Sequence, residues 1–212
     1  MIGRVQDHLE AIYDIQCELR AQEFLVTPEV ARALGASGLT DEELLVHQVG
    51  DALEIALYVA PELLETLERF EHAPGEHVVD GALDSYVQVA EGVSHFLYLT
   101  HSARMQRRVS LLELEAQAEI DKFASCVLSC WKRGADFASH LLERLFEQVS
   151  YRAHLKPEER WRYEHANRLS RGFCRRLLRH VAAGGMDRFL SDLRYAYRLG
   201  AEAKLQHLAA VA

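Results

Sequence analysis

The chain has 212 residues, 49% of them hydrophobic and 26% charged, with a formal net charge of -8, which is enough apolar content for a sizeable core. That composition excludes a disordered or collagen-like chain, and four cysteines at no framework spacing exclude a disulfide scaffold. No apolar run approaches the ~20 residues that cross a bilayer, and Met1 to Arg20 carries acids instead of a secretion-type apolar stretch, so the expected address is cytoplasmic, with no membrane partner.

In chain order, Val5, Leu9, Ile12, Ile15 and Leu19 recur at three- and four-residue spacing and predict an amphipathic first helix. Thr27 followed by Pro28 predicts an N-cap and a first-turn proline, opening a short helix that stops near Gly35. From Leu44 to Val59 the period changes to two, with Leu53, Ile55, Leu57 and Val59 alternating with other residues and Gly50-Asp51 interrupting, which predicts a β-hairpin. Pro61 starts another helix, ending before Ala73-Pro74-Gly75. Asp80 or Asp84 is expected to cap a helix running to about His101, and Ser110 to cap the next, through Trp131 to Gly134. Further helices are expected over 135–149, from Pro157 to just before Gly184-Gly185, and from Met186 to the C-terminus as one bent or two short pieces. The predicted fold is mainly α: a single-domain bundle over 1–212 of about seven to eight helices with one small β-hairpin near residues 44–59. Within it, an acidic N-terminal subregion (1–79) packs on a helical core (80–212).

Charge is unevenly placed along this chain. Residues 1–100 hold 4 Arg and no Lys against 19 acids, net -15, whereas residues 101–212 hold 20 basic residues against 13 acids, net +7. The halves therefore attract one another, within one molecule or between two. The strongest basic feature is the Pro157 helix, where Arg168, Arg171, Arg175 and Arg179 step along one stripe joined by Arg160, Arg162 and Arg176. Guanidinium suits bidentate pairing with carboxylates, so this stripe is expected to bind a protein partner or a second copy, or to stitch the helix to acids of its own chain. A third and last-ranked reading is nucleic-acid binding through this helix, with Trp161 and Tyr163 near its start; the scarcity of lysine on the stripe and the overall negative charge argue against it. The main functional expectation is thus a non-enzymatic interaction or adaptor protein with oppositely charged faces, using no cofactor, no metal and no catalytic residue.

A second reading rests on two central helices. Glu91 and His95 stand one turn apart amid Val87, Val93 and Phe96, and the next helix offers Glu115 and Glu119, again one turn apart, with Asp121 and Lys122 close by. Packed together they would place carboxylates around an imidazole: Glu91, His95, Glu115 and Glu119 as an acid/base set, or Glu91, His95 and Glu119 as metal ligands. The plainer expectation is an internally bonded pair in the core. No Glu-x-x-His motif of the di-iron bundles, nucleophile elbow, Walker loop or Rossmann glycine pattern occurs. Cys126 and Cys130, one turn apart beside Phe123 and Trp131, are expected to pack as free thiols; the remaining histidines, His154 among them, are scattered.

The strings Ala90-Glu91-Gly92-Val93-Ser94-His95-Phe96-Leu97-Tyr98-Leu99 and Leu111 to Phe123 (LLELEAQAEIDKF) resemble the central signature of a family of uncharacterised bacterial cytosolic proteins. Ala166-Asn167-Arg168 and Phe173-Cys174 fit the same resemblance, which covers most of the chain. It implies a bacterial cytosolic protein and carries no assigned activity or catalytic residue.

Overall fold

The computed structural model describes residues 1–38, 40–50, 52–149, 151 and 155–210; Asp51 of the expected turn and His154 lie outside them. Among the described residues there are nine α-helices and three short strands. Helix α1 (Ile2–Tyr13) buries Val5, Leu9 and Ile12 as its spacing predicts, yet it stops at Asp14, which is left-handed at φ 51°. The helical pattern through Leu19 therefore does not persist. Instead Gln6 reaches back to the returning chain, donating to the Leu19 carbonyl and accepting from the Ala21 amide, both at 2.8 Å.

Two residues of β1 (Leu25–Val26) pair in parallel with the hairpin's second strand, a contact too short to leave a sequence pattern. Helix α2 (Pro28–Ala33) is capped as expected by Thr27, whose hydroxyl accepts from the Val30 amide. Strands β2 (Glu42–Val49) and β3 (Ala52–Val59) form the hairpin, and the sheet order is β1-β3-β2. The hairpin begins two residues earlier than the alternation indicated, and its register sets Glu42 opposite Val59 and Leu44 opposite the fully buried Leu57. Since alternate residues share a face, Glu42 points inward with Leu44.

After α3 (Pro61–Glu68) comes α4 (Gly75–Arg104), longer than expected and broken at Ala82, whose φ of -151° is not helical. Asp80 and Asp84 do not cap it; they pair with Arg133 and Arg144 from the basic half. Helix α5 (Leu111–Ser129) opens on a capping box in which Ser110 and Glu113 exchange bonds, and it ends before Trp131, which lies in a 3-10 turn. Helices α6 (Gly134–Phe146), α7 (Pro157–Ala182), α8 (Met186–Arg198) and α9 (Ala201–Ala209) complete the chain; the last two resolve the bent-or-two alternative as two.

One core takes side chains from Ile2 to Leu208, with Phe96, Phe123, Phe173 and Phe189 fully or almost fully buried. Helix α5 lies at its centre, against α4 on one side and α7 on the other, and the hairpin rests on α4. Among the described residues, no helix is long and apolar enough to cross a membrane. Cys126, Cys130 and Cys174 are buried free thiols, and Cys17 is half-buried and free. Burial pushes the Cys126 thiol up, which fits packing and opposes metal binding through a thiolate.

Candidate functional site

Helix α5 sends buried polar side chains in two directions. One stripe, Glu113, Gln117 and Asp121, spaced four apart, faces α1 and α9. There Asp121 accepts from Tyr13, from Ser94 at 2.5 Å and from Gln117 at 2.6 Å, while Tyr98 donates to Glu113. Lys204, with no exposed surface, donates to Gln117 and stands 3.9 Å from the Tyr98 ring centre. Tyr197, stacked on Tyr13 at 4.0 Å, leaves its hydroxyl as the one buried side-chain polar atom here without a partner besides Arg107 Nε. These bonds join α1, α4, α5 and α9, so this network is read as a structural tie.

The other stripe, Glu115, Glu119 and Lys122, faces α4, the hairpin and α7. Lys122 Nζ bridges Glu91 Oε2 at 2.9 Å and Glu119 Oε1 at 2.8 Å. His95 lies between two carboxylates, Nδ1 3.9 Å from Glu42 Oε2 and Nε2 3.6 Å from Glu115 Oε2, both beyond hydrogen-bond reach. Arg162 of α7 approaches Glu115 Oε1 through Nε at 3.3 Å. His95 Nε2 and Glu42 Oε2 are buried and have no hydrogen-bond partner. A buried polar atom left unpaired costs about 1–3 kcal/mol, and here one lies on each edge of the imidazole: Glu42 Oε2 beside Nδ1, and Nε2 itself toward Glu115.

Access comes from a cleft of about 290 Å³. Its walls include Thr40, Glu42, His95, Glu115, Arg162 and Tyr163, with leucines Leu44, Leu111, Leu114 and Leu155 beside them. Gly92 lets the hairpin come close to α4: a Cβ there would stand 2.9 Å from Glu42 Oε2 and 3.2 Å from Leu57 Cδ1. The absence of a side chain at 92 is therefore what allows Glu42 to reach His95.

Burial pushes the Glu42 carboxyl up to about 8, with Glu91 and Glu115 adding repulsion. Burial disfavours the His95 imidazolium, but Glu115, Glu42 and Glu91 together outweigh it and raise the ring to about 9. Burial works against the Glu91 carboxylate too, and there Lys122 wins, holding it below the usual range. Glu119 is raised, chiefly by burial, whereas Lys122 is held firmly charged because Glu119 and Glu91 overcome its desolvation. The cluster is thus a set of opposed charges shielded from water.

Of the residues expected from the sequence, Glu91, His95 and Glu115 each present a ligand atom within 4.8 Å of the others, and among the described residues this is the one group of three or more His, Cys, Asp or Glu so placed. Glu119 replaces Glu115 in the expected metal set, and the structure reverses that choice: Glu119 turns to Lys122, its neighbour three residues on, and leaves the imidazole to Glu115. Glu91 and His95 likewise do not bond each other, since Lys122 takes Glu91. Glu42 was missed. Extending the hairpin alternation from Leu44 by one step would have set it on the buried face.

The arginine stripe divides. Arg171 pairs with Glu147 and Arg179 with Asp192 at 3.2 Å, both acids of the basic half, so neither reaches the acidic half of its own chain. Arg168 and Arg175 are exposed, and neither has an ion-pair or hydrogen-bond partner among the described residues. Compared with known proteins, the chain matches no family model, no curated protein and no solved structure.

Proposed function

We propose that this protein is a metalloprotein that binds one divalent first-row ion through His95, Glu91 and Glu115, with Glu42 beside the ion at the cleft. The observation that carries this reading is the buried His95 Nε2, without a hydrogen-bond partner and facing Glu115, within a group in which Glu91, His95 and Glu115 each offer a ligand atom within 4.8 Å of the others. Metal–ligand bonds of ~2.0–2.2 Å need these donors to draw in by roughly an ångström, which side-chain rotation supplies. One imidazole with carboxylate oxygens suits Mn²⁺, Fe²⁺ or Zn²⁺. Such an ion next to a 290 Å³ cleft would polarise a small bound molecule or a water, the arrangement of a metal-dependent enzyme. Chelator-stripped protein titrated with Mn²⁺, Fe²⁺ and Zn²⁺ tests this. One equivalent is expected to bind and to raise the Tm, with affinity falling at least ~100-fold in His95→Ala and Glu115→Gln. Less than about a tenth of an equivalent of every ion, with no change in Tm, overturns the reading.

A second reading is favoured by one observation, the two unpartnered guanidinium groups of Arg168 and Arg175 on the exposed side of α7. They would meet carboxylates of a protein partner or of a second copy's acidic half, as an adaptor surface.

A further inference from the structure

We propose that Lys122 occupies the place of a second cation and so limits the cluster to one metal ion; the inference rests on the metalloprotein reading. Four carboxylates, Glu42, Glu91, Glu115 and Glu119, converge with a single imidazole, which is more acid than one divalent ion and its neutral histidine require. The surplus is concentrated at one end. Glu91 belongs both to the three-residue ligand group and, through Oε2, to the ammonium of Lys122, whereas Glu119 serves the ammonium alone. A carboxylate shared by two adjacent cationic positions is how paired-metal centres are bridged. Here one of the positions is filled by the protein's own nitrogen.

Charge counting supports a single ion. Once a bound ion has displaced the protons of Glu42 and His95, four carboxylates are balanced by Lys122, Arg162 and one divalent cation, and a buried site closes most favourably at neutrality. A second divalent ion beside Lys122 would leave the cluster two charges in excess and set like charges at contact distance. Lys122 is also locked in place, with 12% of its side chain exposed and a carboxylate on each of two helices within 3 Å, so it cannot swing away without leaving both unpaired. The position that is left for metal is the one at the cleft, beside the unpartnered His95 Nε2 of a ring only 7% exposed.

Mn²⁺ is the probe, with stoichiometry from equilibrium dialysis and spin coupling from electron paramagnetic resonance. The wild-type chain is expected to bind one Mn²⁺ with an uncoupled spectrum. Lys122→Met is expected to bind two, with the line broadening of a coupled pair, because the emptied space leaves Glu91 and Glu119 to a cation. A folded Lys122→Met that still binds one overturns the inference and leaves the metalloprotein reading standing; no binding by the wild type overturns that reading itself. Should Lys122→Met not fold, Glu119→Gln decides. Assigned to the ammonium alone, it is expected to keep one equivalent at an affinity within about threefold of wild type, and a loss of ten-fold or more would place Glu119 on the metal and sink the inference.

Discussion

Replacing Lys204 by methionine tests how this fold tolerates a charge in its core. Lys204 has no exposed surface and faces Gln117, Tyr98 and Tyr197. Burial lowers it from the ordinary 10.5 to about 7, against the pull of Glu113 and Asp121 and with help from Arg107. That gap corresponds to about 5 kcal/mol of folding free energy near neutrality. Methionine removes this cost and fills nearly the same volume, but it leaves Gln117 Oε1 without its donor, a loss of about 1–3 kcal/mol. The net expectation at pH 7 is a variant more stable than wild type by about 2–4 kcal/mol. The sign of the pH dependence follows from linkage. Unfolded, the lysine keeps its proton up to about 10.5, and folded only up to about 7, so the unfolded chain holds more protons between those values and wild-type stability rises with pH across that window. Urea denaturation of both proteins from pH 7 to pH 10 measures the difference, in which titrating groups remote from Lys204 cancel. The variant's advantage is expected to shrink by about 3 kcal/mol over that range. A difference that stays constant with pH, or a variant less stable than wild type at pH 7, would refute the reasoning.

Other expectations are simpler to state. Ser110→Ala removes one side of the capping box on α5 and is expected to cost about 1 kcal/mol by denaturant midpoint, without altering metal stoichiometry. Gly92→Ala gains up to ~1 kcal/mol of helix propensity while forcing Glu42 away from α4. Its Tm should therefore change little, while the His95 ring, losing one of the carboxylates that raise it, titrates at lower pH by NMR; an unmoved midpoint would show that Glu42 does not act on it. Arg168→Glu with Arg175→Glu is expected to leave stability within about 0.5 kcal/mol, since neither side chain is bonded among the described residues. If the adaptor reading holds, sedimentation at low salt shows an association in the wild type that this double variant loses; a monomer in both at every salt concentration counts against it.

Helix positions were legible because each carried its own local signal. Pro28, Pro61 and Pro157 stand at first helical positions, and Ser110 with Glu113 makes a capping box, so these starts follow from chemistry within four residues. Helix ends were less legible because tertiary contacts decide them. Asp14 turns left-handed where Gln6 anchors the returning chain, and Asp80 and Asp84 serve Arg133 and Arg144 across the fold in place of capping. The site followed the same division. Glu91, His95 and Glu115 were visible as pairs one turn apart, but which acid meets the imidazole depends on where Lys122 reaches, and Glu42 comes from a hairpin more than forty residues upstream whose approach is set by a missing side chain at Gly92. The charge asymmetry, plain in composition, is partly spent inside the molecule, in Arg133–Asp80, Arg144–Asp84 and Lys122–Glu91.

The two polar stripes of α5 supply a comparison within one helix. Both are buried or nearly so, both are spaced by a turn, and both gather acids around a lysine, so charge and spacing alone do not separate a site from a brace. Each side also leaves two buried polar atoms unpaired, and what differs is how the acids are held and whether a cleft reaches them. On the Asp121 side, hydroxyls and amides supply short hydrogen bonds to each carboxylate, and Lys204 is enclosed by rings with no way in from solvent. Facing α7, by contrast, are carboxylates without hydroxyl donors, an imidazole nitrogen with nothing to bond, and a cleft that opens onto them. Selection for stability alone would convert the second stripe into something like the first, for instance by placing a tyrosine or glutamine where Glu42 stands. A Glu42→Gln variant measures what the unfinished arrangement costs. Its advantage over wild type is expected to grow as pH rises from about 4.5 to about 8, where the unfolded wild-type carboxyl ionises and the folded one does not, and to stay constant above that. Loss of stability at every pH would show Glu42 to be a structural member after all.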